Sequence, residues 1–324
     1  MIIYLIATLF ITIALTGILL RIYIPKFRSM NMGQPINEIG PRWHKSKEGT
    51  PTMGGLLFIV PIVLVVAAVS LIAPDKFDLS RLWITLTSSV LFGVIGIFDD
   101  LAKLRKRENE GLKAWQKFTL QLVVACLFVG VSAAKGCITT VMHIPFFDVD
   151  VDLGFFYYII SVILIVGIVN SVNLTDGVDG LSSSVTAVVC IFFIIVSSIY
   201  KSETTSLLAC AVLGGCLGFL IYNAYPAKII MGDTGSLFLG GAVVGLAFMY
   251  GSPLIILVCG IVYVFETLSV ILQVLYFKIT HGKRLFKMAP FHHHLEKCGY
   301  SERTIVIVAI AVSVVFSALA AFFM

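Results

Sequence analysis

The composition of this 324-residue chain excludes a soluble domain. Hydrophobic residues make up 59% of the sequence and charged residues only 13%, with a mean hydropathy of +1.01. Such a composition indicates an all-α polytopic membrane protein. The formal net charge is +5. The positions of the basic residues favour contact with an anionic membrane surface or substrate, and we expect no nucleic-acid partner.

Apolar runs predict ten membrane spans in a single integral membrane domain, residues 1–324. In chain order they are Ile2–Ile24, Met53–Ala73, Leu82–Phe98, Phe118–Ala134, Gly154–Val172, Leu181–Tyr200, Thr205–Tyr225, Ser236–Tyr250, Pro253–Phe277 and Thr304–Phe323. Lys and Arg residues concentrate after spans one, three and nine. The positive-inside rule then places these segments in the cytoplasm and both termini outside. Alternating residues from Ile144 to Asp152 predict a small external β-hairpin.

Two polar segments follow the first and third spans on the predicted cytoplasmic side. Residues 45–55 contain Lys47 and Thr52 among glycines and a proline, a pattern that can hold an anion, although a basic membrane anchor is the alternative. Asp99 and Asp100 are adjacent carboxylates at the end of an apolar run, followed by Lys103. Ionised groups are costly in lipid, and a repelling pair favours a divalent cation. Helical neighbours point about 100° apart, so the two acids should differ in role.

Three further segments carry polar residues at the same predicted face. Residues 170–180 place a polar group at every third position before a glycine-containing loop, which predicts a polar cleft, with a solvated loop as the alternative. Asp233 lies between glycines and suits a metal ligand. His292, His293 and His294 are consecutive. Because adjacent side chains diverge, a phosphate-facing imidazole is favoured over a zinc site.

Carboxylates, lysines and histidines at one membrane face are the groups that phosphoryl transfer needs. The sequence therefore predicts Mg²⁺-assisted transfer to or from a lipid. The five segments, in this order and over essentially the whole chain, closely resemble the phospho-N-acetylmuramoyl-pentapeptide transferase family. That family belongs to the polyprenyl-phosphate N-acetylhexosamine-1-phosphate transferase superfamily.

The resemblance implies a ten-helix membrane homodimer with a Mg²⁺ site on the cytoplasmic face of the bacterial plasma membrane. The implied reaction moves phospho-MurNAc-pentapeptide from UDP-MurNAc-pentapeptide to undecaprenyl phosphate, giving lipid I and UMP in peptidoglycan synthesis. The implied catalytic residues are Asp99, Asp100, Asp233 and His292, with Asp233 and Asp100 as metal ligands and Asp99 as the base. The implied substrate-binding residues are Lys47, Thr52, Lys103, Lys117, Asn173, Asp176, Gly177, Val178, Asp179, Asn223, His293 and His294.

The chain departs from the family pattern at two positions, and two alternative functions stay open. Family members often carry an aromatic residue where this chain has Ile230, and a basic residue where it has Asn37. The nearest alternative is a polyprenyl-phosphate GlcNAc-1-phosphate transferase, whose motif usually has an acid in place of Lys103. A secondary transporter is the alternative from another class, because Glu266 is an acid within a predicted span. One-step transfer and a phospho-enzyme route both remain open.

Overall fold

A computed structural model describes residues 1–30, 49–106, 111–145, 147 and 149–322. Lys47 and Asn37 lie outside the described residues. The helices are α1 Ile2–Ser29, α2 Leu56–Ile72, α3 Leu79–Lys106, α4 Ala114–Ala134, α5 Phe155–Thr175, α6 Leu181–Ile199, α7 Glu203–Asn223, α8 Gly232–Tyr250, α9 Ile256–Cys259, α10 Ile261–Ile279, α11 Phe291–Lys297 and α12 Glu302–Phe322. Two strands, β1 Val141–Ile144 and β2 Val149–Asp152, lie between α4 and α5.

The predicted fold class is confirmed. Within the described ranges, nine helices are long and apolar enough to cross a membrane, judged by length and composition. The second predicted span corresponds to α2, which has 17 residues and is the shorter apolar helix of the set. The two strands pair antiparallel, with Val141 opposite Asp152 and Ile144 opposite Val149, so the hairpin is also confirmed. The orientation of the termini stays a prediction.

Two predicted spans differ in shape from the helices that form. The ninth predicted span is interrupted: a 3₁₀ turn at Pro253–Ile255 leads into α9, and the chain departs from helical geometry at Gly260 before α10 begins. Proline and glycine weaken a continuous helix at these points. In contrast, α3 continues to Lys106, past the predicted end at Phe98. The helix can continue through Asp99 and Asp100 because both carboxylates find partners, described below.

The core is organised around α8, which is buried along nearly all its length. Helices α3, α5 and α6 pack against it, and α7 packs between α1 and α6. Phe58 of α2 makes edge-to-face contacts with Phe219 of α7 and Phe238 of α8. Aromatic pairs in this geometry add to the free energy gained by burying their area. This packing brings the first turn of α8 against the C-terminal half of α3, where the functional segments meet.

Candidate active site

Three carboxylates from two helices form one cluster, which we call the acid cluster: Asp99, Asp100 and Asp233. Each offers an oxygen within 4.8 Å of the others. Asp99 and Asp100 come from α3, and Asp233 comes from the first turn of α8. Oxygen ligands of this kind are what Mg²⁺ prefers in proteins. The donor set therefore fits a divalent cation, and the structure brings together the three acids that the sequence points to.

Asp100 binds the start of α8. Its carboxylate accepts the backbone N–H of Asp233 (3.1 Å) and, from Thr234, both the backbone N–H (2.9 Å) and the hydroxyl (2.7 Å). The side chain is completely buried. The first N–H groups of a helix lack intrahelical partners, and negative charge there is favourable. Asp100 thus satisfies these donors from a neighbouring helix and fixes the position of Asp233.

Two lysines neutralise part of the charge of the acid cluster. Lys103 Nζ lies 2.7 Å from Asp99 Oδ2 and 2.7 Å from Asp233 Oδ2, so one ammonium bridges two carboxylates. Lys117 Nζ, from the first turn of α4, lies 2.9 Å from the same oxygen of Asp233. The Lys103 ammonium therefore lies between two acids, where a positive charge offsets their repulsion. The structure therefore brings Lys103 and Lys117 to the acid cluster, and their contact with substrate phosphates stays a prediction.

Asn173 connects α5 to the acid cluster. Its side-chain N–H group donates to Asp233 Oδ1 (2.7 Å) and to Ser236 Oγ (2.8 Å). Ser236 was missed as a site residue, although it lies one turn after Asp233 and therefore on the same helix face. Asn170, one turn before Asn173, instead exchanges hydrogen bonds with Gln121 of α4. The predicted polar face of this helix is confirmed. Asn173 contacts the acid cluster, whereas Asn170 pairs with a neighbouring helix.

Residues 51–55 and 230–231 hold each other by backbone hydrogen bonds. The Ile230 N–H donates to the Pro51 carbonyl, and the N–H groups of Gly54 and Gly55 donate to the carbonyls of Ile230 and Met231. Thr52 lies in this segment, fully buried beside Gly232 and Asp100. Its hydroxyl has no hydrogen-bond partner among the described residues. The structure therefore brings Thr52 to the acid cluster with an unused polar group.

The loop at residues 176–180 is tied to the segment after α7. Asn223 accepts the Gly180 N–H (3.1 Å) and donates to the Ile229 carbonyl (2.9 Å), while Asp179 accepts the Ala227 N–H (2.9 Å). Glu302 of α12, which sequence reasoning missed, accepts the Asp179 N–H (3.1 Å). Val178 is buried, and Asp176 follows α5 directly. These bonds position the loop; uridine recognition by Asp176, Gly177, Val178, Asp179 and Asn223 stays a prediction.

The three consecutive histidines point to three different partners, as predicted. His292 Nδ1 lies 3.1 Å from a carboxylate oxygen of Glu266, and His293 Nδ1 lies 2.7 Å from one of Glu296. His294 Nδ1 accepts the Lys287 N–H (3.1 Å). The ring of His292 lies against Gly177, so the structure joins His292 to the 176–180 loop. His293 and His294 are engaged elsewhere, and their contact with substrate stays a prediction.

The sequence matches two family models. The glycosyl transferase family 4 model covers residues 82–251, and the phospho-N-acetylmuramoyl-pentapeptide-transferase signature 1 covers residues 47–59. Relatives named phospho-N-acetylmuramoyl-pentapeptide-transferase include one from Heliobacterium modesticaldum, 44% identical over 92% of this chain and 91% of the relative. Others come from Geobacillus kaustophilus (40% identical; 95% and 94% covered) and Clostridioides difficile (41%; 91% and 90%). The chain belongs to the phospho-N-acetylmuramoyl-pentapeptide transferase family.

Membership in this transferase family favours an enzyme over a secondary transporter. The transporter was an alternative because Glu266 lies within a predicted span. Glu266 has its partner in His292, so its position in an apolar helix does not require a transported ion. The region matched by the glycosyl transferase family 4 model contains the acid cluster, both lysines and Asn173. The signature at residues 47–59 contains Thr52. The family matches and the geometry therefore converge on the same residues.

Proposed function

We propose that this chain transfers phospho-MurNAc-pentapeptide from UDP-MurNAc-pentapeptide to undecaprenyl phosphate, giving lipid I and UMP for peptidoglycan synthesis. The observation that carries the proposal is the acid cluster with its two lysines, in a chain whose relatives bear that transferase name. We place this reaction at the cytoplasmic face of the bacterial plasma membrane, because Lys103 and Lys117, from the basic segment that follows span three, contact the acid cluster. We also propose a homodimer, on the family resemblance.

We propose Mg²⁺ as the cofactor, held by Asp233 and Asp100 within the acid cluster. Three carboxylates within 4.8 Å provide the hard oxygen ligands that this ion requires. When bound, Mg²⁺ would offset negative charge on the diphosphate of the substrate. Asp100 already accepts three hydrogen bonds from α8. It therefore also positions Asp233, whichever oxygen it gives to the metal.

The remaining residues have roles that follow from their chemistry. Asp99 takes the proton of the lipid phosphate, and the resulting oxygen attacks the sugar-side phosphorus of UDP-MurNAc-pentapeptide. The new P–O bond forms as the bond to the bridging oxygen breaks, and UMP leaves with that oxygen. Lys103 and Lys117, which now contact Asp99 and Asp233, donate to the phosphate oxygens instead. Thr52, Asn173 and the 176–180 loop bind the nucleotide, with Lys47 from the neighbouring segment.

The decisive experiment is UMP release by the purified chain in detergent with undecaprenyl phosphate. UDP-MurNAc-pentapeptide and UDP-GlcNAc are compared, each with Mg²⁺ and with EDTA. We expect turnover of the muramyl substrate alone, abolished by EDTA. Turnover of UDP-GlcNAc instead would assign the chain to the GlcNAc-1-phosphate reaction and contradict the proposal.

The variant Asp233→Asn tests the metal site. Replacing the carboxylate by an amide keeps its size but removes the charge that a cation requires, so we expect Mg²⁺-dependent turnover to be abolished while the melting temperature stays close to wild type. Asp78→Asn, at the opposite end of α3 from the acid cluster, is the control and should retain activity. Near-normal turnover of Asp233→Asn would remove Asp233 from the metal site. A covalent phospho-sugar trapped on Asp99 or Asp100 without lipid would contradict the one-step route.

A further inference from the structure

Glu266 is a buried acid in the membrane-spanning helix α10. Only 5% of the residue is exposed, and it lies among Val262, Phe265 and Phe291 at a largely apolar cavity of about 310 Å³. An ionisable group in such surroundings is costly unless it is paired. The partner of Glu266 is His292, in the short helix α11. A single oxygen, Oε2, accepts the backbone N–H of His292 (3.2 Å) and lies 3.1 Å from His292 Nδ1.

This pairing determines which ring nitrogen of His292 carries a proton. An ionised carboxylate has only acceptors, so Nδ1 must hold a hydrogen to bond with it. The opposite nitrogen, Nε2, is then the end of the ring that remains for another partner. His292 is 1% exposed, and Nε2 has no hydrogen-bond partner within the described part of the chain. A buried polar atom without a partner loses free energy unless a ligand or water satisfies it.

The direction of Nε2 indicates where that partner binds. A Cβ placed on Gly177 would lie 2.2 Å from Nε2, so this position accepts only glycine while the ring keeps its place. Gly177 belongs to the 176–180 loop, which Asn223 and Asp179 fix to the segment after α7. Asn173, four residues before Gly177, contacts the acid cluster. Nε2 is therefore directed at the loop that begins where α5, the helix that carries Asn173, ends.

We infer that Glu266 is a positioning residue, which holds a proton on His292 Nδ1 and keeps Nε2 directed at the nucleotide half of the substrate. The assignment of the substrate rests on the proposed function, whereas the pairing itself does not. The arrangement is like that of functional histidines in which a buried carboxylate binds one ring nitrogen and thereby orients the other. Two bonds to one oxygen fix the ring more firmly than one bond would, because the backbone N–H anchors the residue while Nδ1 sets the ring.

A double-mutant cycle tests this inference. Glu266→Ala, His292→Gln and the double variant are compared by kcat/KM for UMP release. Carboxylates that orient a functional histidine at metal centres are typically worth roughly 10- to 100-fold, and we expect a loss of that size for Glu266→Ala. In the double variant the loss should equal that of His292→Gln alone, because Glu266 acts through the ring. Independent, multiplying losses would overturn the inference.

Two matched variants separate positioning from a general effect on folding. Glu266→Gln retains an acceptor for both N–H groups and should lose less activity than Glu266→Ala. Ser269→Ala, in the same helix, removes a buried hydrogen bond to the Glu266 carbonyl (2.6 Å) without touching His292 and should retain activity. If Ser269→Ala lost as much activity as Glu266→Ala, the effect would belong to the helix and not to the carboxylate. All variants are compared by melting temperature in detergent.

Nitrogen-15 spectra of ring-labelled histidine give a readout that does not depend on turnover. The His292 signals, identified by their loss in His292→Gln, should report a proton on Nδ1 in the wild-type chain and a mixture of tautomers in Glu266→Ala. An unchanged Nδ1 signal in Glu266→Ala would overturn the inference. Should the wild-type chain release UMP from neither nucleotide, the proposed function fails, and these spectra still decide whether Glu266 sets the proton on Nδ1. Normal turnover by His292→Gln would likewise overturn the positioning role.

Discussion

The hydroxyl of Thr52 is a polar group held next to the acid cluster without a protein partner among the described residues. Burying a hydroxyl without a hydrogen bond costs roughly 1–3 kcal/mol on mutational scales. Neighbouring backbone bonds between residues 51–55 and 230–231 keep the side chain where it is. Among the described residues, the Thr52 hydroxyl lies unpaired beside the acid cluster, and its burial is explained if the substrate supplies the missing hydrogen bond.

Thr52→Val is therefore expected to separate stability from activity. Valine has nearly the same shape, so the melting temperature should stay the same or rise, whereas kcat/KM for UMP release should fall about tenfold, the equivalent of about 1.4 kcal/mol. Steady-state kinetics and thermal unfolding in detergent measure the two effects. Thr50→Val, two residues earlier in the same segment, is the control and should change neither. A large loss of stability in Thr52→Val would contradict the role in substrate binding.

The chemistry of individual residues was largely predictable, but several of their partners were not. Asp99 and Asp100 could be recognised because adjacent acids at the end of an apolar run need a compensating charge, and Asp233 because glycines flank it, which suits a metal ligand. That Asp100 accepts the first N–H groups of α8 could not be predicted, since it depends on how α3 docks on α8. For the same reason Glu266 could be recognised as unusual while its bond to His292 remained hidden.

At the scale of elements, the site depends on a close crossing of α3 and α8. Gly96 makes the approach possible: a Cβ there would lie 2.2 Å from the Asp233 carbonyl oxygen, which is backbone and cannot move independently. Gly93, one turn earlier, has more room, since its Cβ would lie 3.3 Å from Phe238 Cβ. The two glycines face the same neighbour but differ in how tightly they are packed.

Gly96→Ala should impair catalysis more than Gly93→Ala. The added methyl group must push the first turn of α8 away from α3, and a displacement of about 1 Å at a catalytic group can cost about 100-fold in rate. Gly93→Ala requires only a shift of a few tenths of an ångström and serves as the matched control. Both variants are compared by kcat for UMP release and by melting temperature. Equal activity of the two variants would show that the crossing at Gly96 does not set the site.

The boundaries of the elements show where reasoning from apolar runs stops. The apolar runs correctly located the helices, but the third run ends at Phe98, where charged residues begin, whereas α3 continues to Lys106. The structure continues that helix because Lys103 lies one turn after Asp99 and pairs with it. Conversely, the apolar ninth run hid a break at Gly260, because one glycine barely changes the hydropathy of a long window.

At the scale of the whole molecule, the orientation in the membrane follows from the distribution of positive charge. Two native cysteines lie on opposite predicted sides. Cys137 precedes the β-hairpin on the predicted outer side, and the exposed Cys298 follows α11 on the predicted cytoplasmic side. The two thiols therefore provide reporters of topology that require no added sequence.

A membrane-impermeant maleimide should label Cys137 in right-side-out vesicles and Cys298 in inside-out vesicles. Labelling is read by mass spectrometry, and the variants Cys137→Ser and Cys298→Ser identify each signal. The reverse pattern would contradict the predicted orientation and move the site to the outer face. Labelling of both residues from one side would contradict the predicted number of crossings between them.

The hydrogen bonds that α8 donates to Asp100 join residues 133 and 134 positions apart in the chain. Translation adds roughly 5–20 residues per second, so α3 exists for roughly 10 s before its partner on α8 has been made. Throughout that interval, four further helices are synthesised while the Asp100 carboxylate lacks the N–H groups of α8 that later bind it. The catalytic centre is therefore completed late in biosynthesis. A nascent chain interrupted before α8 has most of its membrane helices but only two of the three acids of its acid cluster.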